Sequence, residues 1–204
     1  MRKAVKSLIV ALAIISPFIL LIITTSFIII PQLNGGTPVD FYGTSREVSL
    51  NETITVAKQY NLSIYLPFEL PDDFECTAIY LKDSPFIAIV VYSAEGNMDY
   101  KTAELVIQIS PAGSPPTYSE LESIAASKLY TIAVEINSWP VLVNEKASTG
   151  GEVETRKKWG DYFLLVTAYI EGMRYMITCP TLTANEAILM VENLHLLTDI
   201  VLKD

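Results

Sequence analysis

The chain has 204 residues, half of them hydrophobic and 18% charged, with a net charge of −9, one histidine and two cysteines. A soluble domain of this size carries about a quarter of its residues charged, so the chain is greasier than a simple globular protein. These totals exclude a disordered chain, a disulfide-dense mini-protein, a multi-span transporter and a basic nucleic-acid binder.

The excess is local. Residues 8–30 run for 23 positions without a charge, and 18 of them are hydrophobic. As a helix they reach roughly 35 Å, enough to cross a hydrocarbon core of about 30 Å. Arg2, Lys3 and Lys6 precede this stretch, whereas the next twenty residues offer only Arg46. The positive-inside bias therefore places residues 1–7 in the cytoplasm as a stub, 8–30 in the bilayer as a transmembrane helix, and the remainder outside. A cleaved leader would need a small-x-small site after its apolar core; the only Ala-x-Ala, Ala11 to Ala13, comes too early. Residues 8–30 are read as an uncleaved signal anchor of a single-pass cell-membrane protein. Pro17 is tolerated in mid-span where neighbours satisfy the freed carbonyl.

Two prolines and a Gly pair make residues 31–39 a short linker, and residues 40–204 form the extracytoplasmic domain. With the three N-terminal cations set aside, 11 Lys and Arg face 23 Asp and Glu, a net charge of −12. Such a field repels phosphate backbones, so nucleic acid is excluded as a partner. Asn51-Glu-Thr and Asn61-Leu-Ser are sequons, making Asn51 and Asn61 candidate glycosylation sites in that compartment.

The elements of this domain follow from periodicity. Ser49-x-x-Glu52 has the form of a capping box opening a short helix to about residue 60. Residues 74–82 alternate as a strand, and 86–92 are a continuous apolar run, as in a strand covered on both faces. Leu105, Ile107 and Ile109 alternate with polar residues in a half-buried strand. After a loop at 111–116, Thr117-x-x-Glu120 caps a second helix carrying Leu121, Ile124, Ala125 and Leu129. Strands return at 132–136 and 140–144, and Gly150-Gly151 reads as a hairpin turn. Residues 153–159 lead to a turn at Gly160-Asp161. Glu171-Gly172 joins strands 162–170 and 173–178, and Thr183-x-x-Glu186 opens the final helix, with Ala187, Ile188, Val191 and Leu194 on one face. Many strands, short turns and no strand–helix–strand alternation predict an α+β domain: an antiparallel, curved sheet with helices on one face.

The string Leu66-Pro67-Phe68-Glu69-Leu70-Pro71-Asp72-Asp73-Phe74 resembles the "LP…LPxGF" opening of a widespread prokaryotic, membrane-anchored extracytoplasmic domain of unknown function. Ile136 to Val141, the hairpin from Trp159 to Thr178 and the segment 183–197 look like that family's further parts. The usual glycine near Asn137 is missing, and residues 111–130 are an insertion. The resemblance implies a curved sheet similar to that of periplasmic lipoprotein carriers and envelope-stress regulators. It also implies binding at the envelope, and it transfers no catalytic residue.

Chemistry is sparse. One histidine, His195, at the edge of the last helix's apolar face, cannot build a multi-histidine site. There is no HExxH, GxSxG, CxxC or phosphate-binding glycine loop. Asp72, Asp73 and Glu75 lack the spacing of a calcium loop. Arg156-Lys157-Lys158 beside Trp159 reads as a charged hairpin edge. Cys76 and Cys179 are the only cysteines; outside the cell they form a candidate disulfide or serve as small buried hydrophobes. Tyrosines at 80, 92, 130, 162, 169 and 175 suit strands. No cofactor or metal is implied, and the chain is read as non-enzymatic. The expected function is a membrane-anchored surface protein whose outer domain binds an apolar ligand or a protein partner. The alternative is a structural subunit of a surface filament or envelope complex.

Overall fold

Period-two alternation becomes strand pairing along most of the chain. A computed structural model of the protein describes residues 44–70 and 73–197. Every described residue belongs to one compact unit, which begins at Asp40. The stub, the expected span at 8–30 and the linker lie outside the described residues. Among those described, no helix is long and apolar enough to cross a membrane.

The strands are β1 (Arg46–Glu47), β2 (Tyr65–Pro67), β3 (Glu75–Lys82), β4 (Ile87–Ser93), β5 (Leu105–Pro111), β6 (Thr131–Ile136), β7 (Trp139–Ser148), β8 (Tyr162–Ile170), β9 (Met173–Cys179) and β10 (Leu194–Leu196). The helices are α1 (Leu50–Gln59), α2 (Tyr118–Ala126), α3 (Val153–Trp159) and α4 (Ala184–Glu192). Eight strands make one antiparallel sheet in the order β1-β3-β4-β5-β9-β8-β7-β6, while β2 and β10 pair apart from it. The α+β class is therefore as expected.

The registers line up one face of the sheet in apolar rows. Ile79 opposes Val90, Val90 opposes Ile107, and the row continues through Ile177, Val166, Val143 and Ile132. The next row runs Leu81, Ala88, Ile109, Tyr175, Ala168, Val141 and Val134. Val56 and Ala57 of α1, Ala187, Met190 and Val191 of α4, and Leu66 and Leu194 of the small sheet close over these rows as one core. On the other face Ala78, Ile89, Val91 and Val106 pack with Tyr100 and Ala103 in a smaller cluster.

Helix placement departs from expectation. Only α1 and α4 belong to the main core; Leu121 of α2 is fully buried outside both clusters, with α2 against β6 and β7, and α3 buries no residue. Gly150-Gly151 does not make a hairpin, because the chain next forms α3, which carries Arg156, Lys157 and Lys158. Those cations thus sit on a helix rather than a hairpin edge, where Arg156 Nε meets Asp161 at 2.9 Å. The last helix stops at Glu192, since residues 194–196 pair with β2. His195 is consequently an exposed strand residue, its ring 5.5 Å from Phe68.

Two capping boxes form in full, at Thr117/Glu120 and Thr183/Glu186. At α1 only half forms: the Ser49 hydroxyl accepts from the Glu52 amide, but the Glu52 carboxylate turns to Arg46. Bonds from the threonine backbone amides and hydroxyls hold the Glu120 and Glu186 carboxyls below the ordinary value of 4.5. A depressed folded value means these boxes stabilise fully above about pH 4.5 and lose that contribution as pH falls through the folded values. Glu120→Gln with Glu186→Gln should therefore flatten the fall of stability on acidification, read as unfolding midpoints between pH 7 and 3. Parallel curves for variant and parent would refute this role.

Tyr175, fully buried in β9, accepts the Tyr65 N–H on its hydroxyl at 3.0 Å and so docks the small sheet onto the main one. Tyr175→Phe strands that amide and should cost about 1–3 kcal/mol in urea unfolding; unchanged stability would show the bond to be idle.

Candidate functional site

A cleft of about 450 Å³ lies between β1, the start of α1, β2 and the beginning of β3. Val48, Leu50, Leu66, Ile79, Tyr92 and Cys76 line it, with Glu47 as its charged residue.

Its origin is a β-bulge. Cys76 opposes Tyr92, yet Ala78 opposes Val91, so Thr77 is the extra residue. A bulge bends its strand and raises the local twist. Thr77 is pinned there, its hydroxyl donating to the Asn97 carbonyl at 2.7 Å and the Val91 carbonyl at 3.3 Å. On the far side of the bulge, the row that begins at Cys76 reaches the surface where β3 leaves its regular pairing. The cleft opens at that point.

Cys76 and Cys179 are not brought together. Cys76 opposes Tyr92 and Tyr92 opposes Leu105, while the β5–β9 register sets Cys179 beside Leu105. Two strands separate the cysteines, a distance of roughly 14 Å, where a disulfide requires Cα atoms within about 7 Å. Both are free thiols, Cys76 exposed and Cys179 buried. Burial pushes the Cys76 thiol up and carries Cys179 up to about 12. Neutral thiols dominate at physiological pH, the opposite of the activated thiolate that a nucleophile needs. Burial likewise raises Tyr92.

Asn51 in the first turn of α1 and Asn61 just after it are both exposed. Asp72 lies outside the described residues; Asp73 adopts a positive φ of 66° and Glu75 is exposed at the start of β3. Among the described residues no group of three or more His, Cys, Asp or Glu side chains could hold a metal ion.

A second polar feature escaped the sequence reading. Glu104 is buried beside β5 and meets Lys158 of α3 at 3.7 Å, and the same ammonium lies 4.7 Å from the Trp159 ring centre. Lys101 pairs with Glu152 at 3.6 Å, and Thr155 donates to the Lys101 carbonyl at 2.9 Å. These contacts fasten α3 to the segment before β5. No local motif announces them, since the partners lie about fifty residues apart. The bulge did leave a trace: core-facing positions fall on even numbers at Phe74 and Cys76 and on odd numbers at Ile79 and Leu81.

A maleimide probe should therefore label one thiol in the native protein, Cys76, with Cys179 reacting only in denaturant and the native rate rising with pH. Native labelling of both, or none, would contradict this placement. No family model, curated protein or solved structure matches the chain, so the functional reading stands on this geometry.

Proposed function

We propose that the chain is a single-pass surface protein, anchored by residues 8–30 with its N-terminus in the cytoplasm, whose outer domain holds an apolar ligand without transforming it. The ligand class is a lipid acyl chain or a lipidated segment, and the observation that carries the reading is the cleft. A ligand site is expected to be a concavity of about 300–1,000 Å³ with mainly apolar walls and few polar groups. A space of about 450 Å³ between Val48, Leu50, Leu66, Ile79 and Tyr92, with Glu47 as its charged residue, fits that description. The protonated Cys76 thiol suits an apolar guest. Anchoring supplies the context, because a domain tethered by nine linker residues works beside acyl chains. The resemblance of residues 66–74 to membrane-anchored envelope domains points the same way, by analogy only.

Two measurements test this. Protease added outside intact cells should remove residues 40–204 and spare an N-terminal tag; protection of the domain would reverse the topology. Native mass spectrometry of the full chain taken from membranes should reveal a bound lipid. Val48→Trp, which fills the cleft, should abolish that adduct and block Cys76 labelling. An adduct-free parent protein, or an adduct indifferent to Val48→Trp, would sink the cleft as the site.

A further inference from the structure

The two edges of the eight-stranded sheet are finished differently. At one, β1 is two residues long, both charged, and β3 behind it is bulged and ends on Lys82. Short, charged and bulged edges are how a sheet avoids pairing with another chain. At the other, β6 has six residues, Thr-Ile-Ala-Val-Glu-Ile, with no proline, no bulge and a single charge. Helix α2 packs against β7 as well as β6, and β6 is the terminal strand of the sheet, buried at Thr131 and Ile136 and partly or fully exposed at the four residues between them.

The apolar rows also run off this edge. The row from Ile79 through Val143 is buried, yet its terminal member, Ile132, is 47% exposed. Leu129 and Tyr130, just before the strand, are exposed too.

Backbone geometry says what fits. The Tyr130 carbonyl accepts from the Glu145 amide at 2.9 Å, which marks the inward-bonding positions of β6. In an antiparallel ladder these alternate, so Ile132, Val134 and Ile136 bond to β7 while Thr131, Ala133 and Glu135 turn their N–H and C=O outward. We propose that the outer edge of β6 is a homodimer interface, at which a second copy of this chain adds its own β6 antiparallel about a two-fold axis through Ala133.

This register brings all three outward positions together: Ala133 meets Ala133 of the second copy, and Thr131 meets its Glu135, at both ends. Each pair exchanges two backbone hydrogen bonds. Slipping by two residues loses a pair, and slipping by one sets outward groups against inward ones. The same register sets Ile132 opposite Val134 of the second copy, so the row that ends exposed continues into a buried row of the partner. Charges agree as well. Glu135 arrives opposite Thr131, next to Tyr130, whose ring carries the Lys146 ammonium at 4.0 Å, and no two carboxylates oppose each other in the strand pair. The interface is isologous and closes on itself, so it yields dimers rather than filaments. It uses no part of the cleft.

Sedimentation of the full-length chain in detergent micelles should show a dimer. Ala133→Pro removes an outward N–H that the fold does not use, and proline is tolerated on such an edge. It should weaken self-association by about tenfold or more with an unchanged circular dichroism spectrum. Ala133→Cys in a Cys76→Ser background should form an intermolecular disulfide, because hydrogen-bonded pairs place Cα atoms about 5.5 Å apart. Ile132→Cys and Val134→Cys should cross-link less. A monomeric parent chain, a dimer indifferent to Ala133→Pro, or preferential cross-linking at 132 or 134 would overturn the proposal. A monomer that captures an unrelated strand at β6 would also overturn it.

Discussion

The described domain depends on strand β9 being apolar on one face along its whole length. Met173, Tyr175, Ile177 and Cys179 are all buried. β9 sits between β5, which ends the N-terminal half of the sheet, and β8, which begins the C-terminal half. The two hairpin systems are therefore joined within the sheet through β9. Side chains alternate with a period of two, so a one-residue slip would turn this entire set to the other face. That cost fixes the registers of both neighbours, and through them the rows from Ile79 to Ile132 and from Leu81 to Val134. Helices α1 and α4 then have one continuous apolar surface to cover.

What the sequence made legible follows from how local each signal is. The β8–β9 hairpin was readable because clean alternation flanks Glu171-Gly172, and both residues take the positive φ that such a turn demands (48° and 77°). Thr117/Glu120 and Thr183/Glu186 were readable because a capping box spans only four residues. Gly150-Gly151 misled for the complementary reason. A glycine pair reports conformational freedom, and here Gly150 at φ 62° leads into α3 rather than across a hairpin. The pairing of β2 with β10 was illegible, because three-residue strands carry no measurable period and their partners lie some 130 residues apart.

The candidate site was the least legible part, and its construction explains why. Its walls come from β1, α1, β2, β3, β4 and Leu197, none informative alone. The feature that opens it, the extra residue at Thr77, shows in the sequence only as a change of parity between Cys76 and Ile79. Pairing Cys76 with Cys179 was a reasonable expectation from number and compartment. It fails because the sheet order inserts β4 and β5 between their strands, a topological fact that residue counting cannot supply.

The two surfaces that the domain leaves unfinished stand at opposite ends of one sheet. The cleft adjoins β3 and the open edge is β6, six strand spacings away, or roughly 29 Å. Pairing about an axis normal to the sheet would place the clefts at the outer ends of a sixteen-stranded sheet, both on its core-facing side. Neither cleft then obstructs the shared edge, and filling one does not require the dimer to open. The bulge that breaks the pattern at β3 also blunts that edge, so the strand end beside the cleft is the one least suited to pairing with another chain. Irregularity and regularity thus divide the work: a broken ladder makes the concavity at one end, and an intact one presents three matched hydrogen-bonding residues at the other.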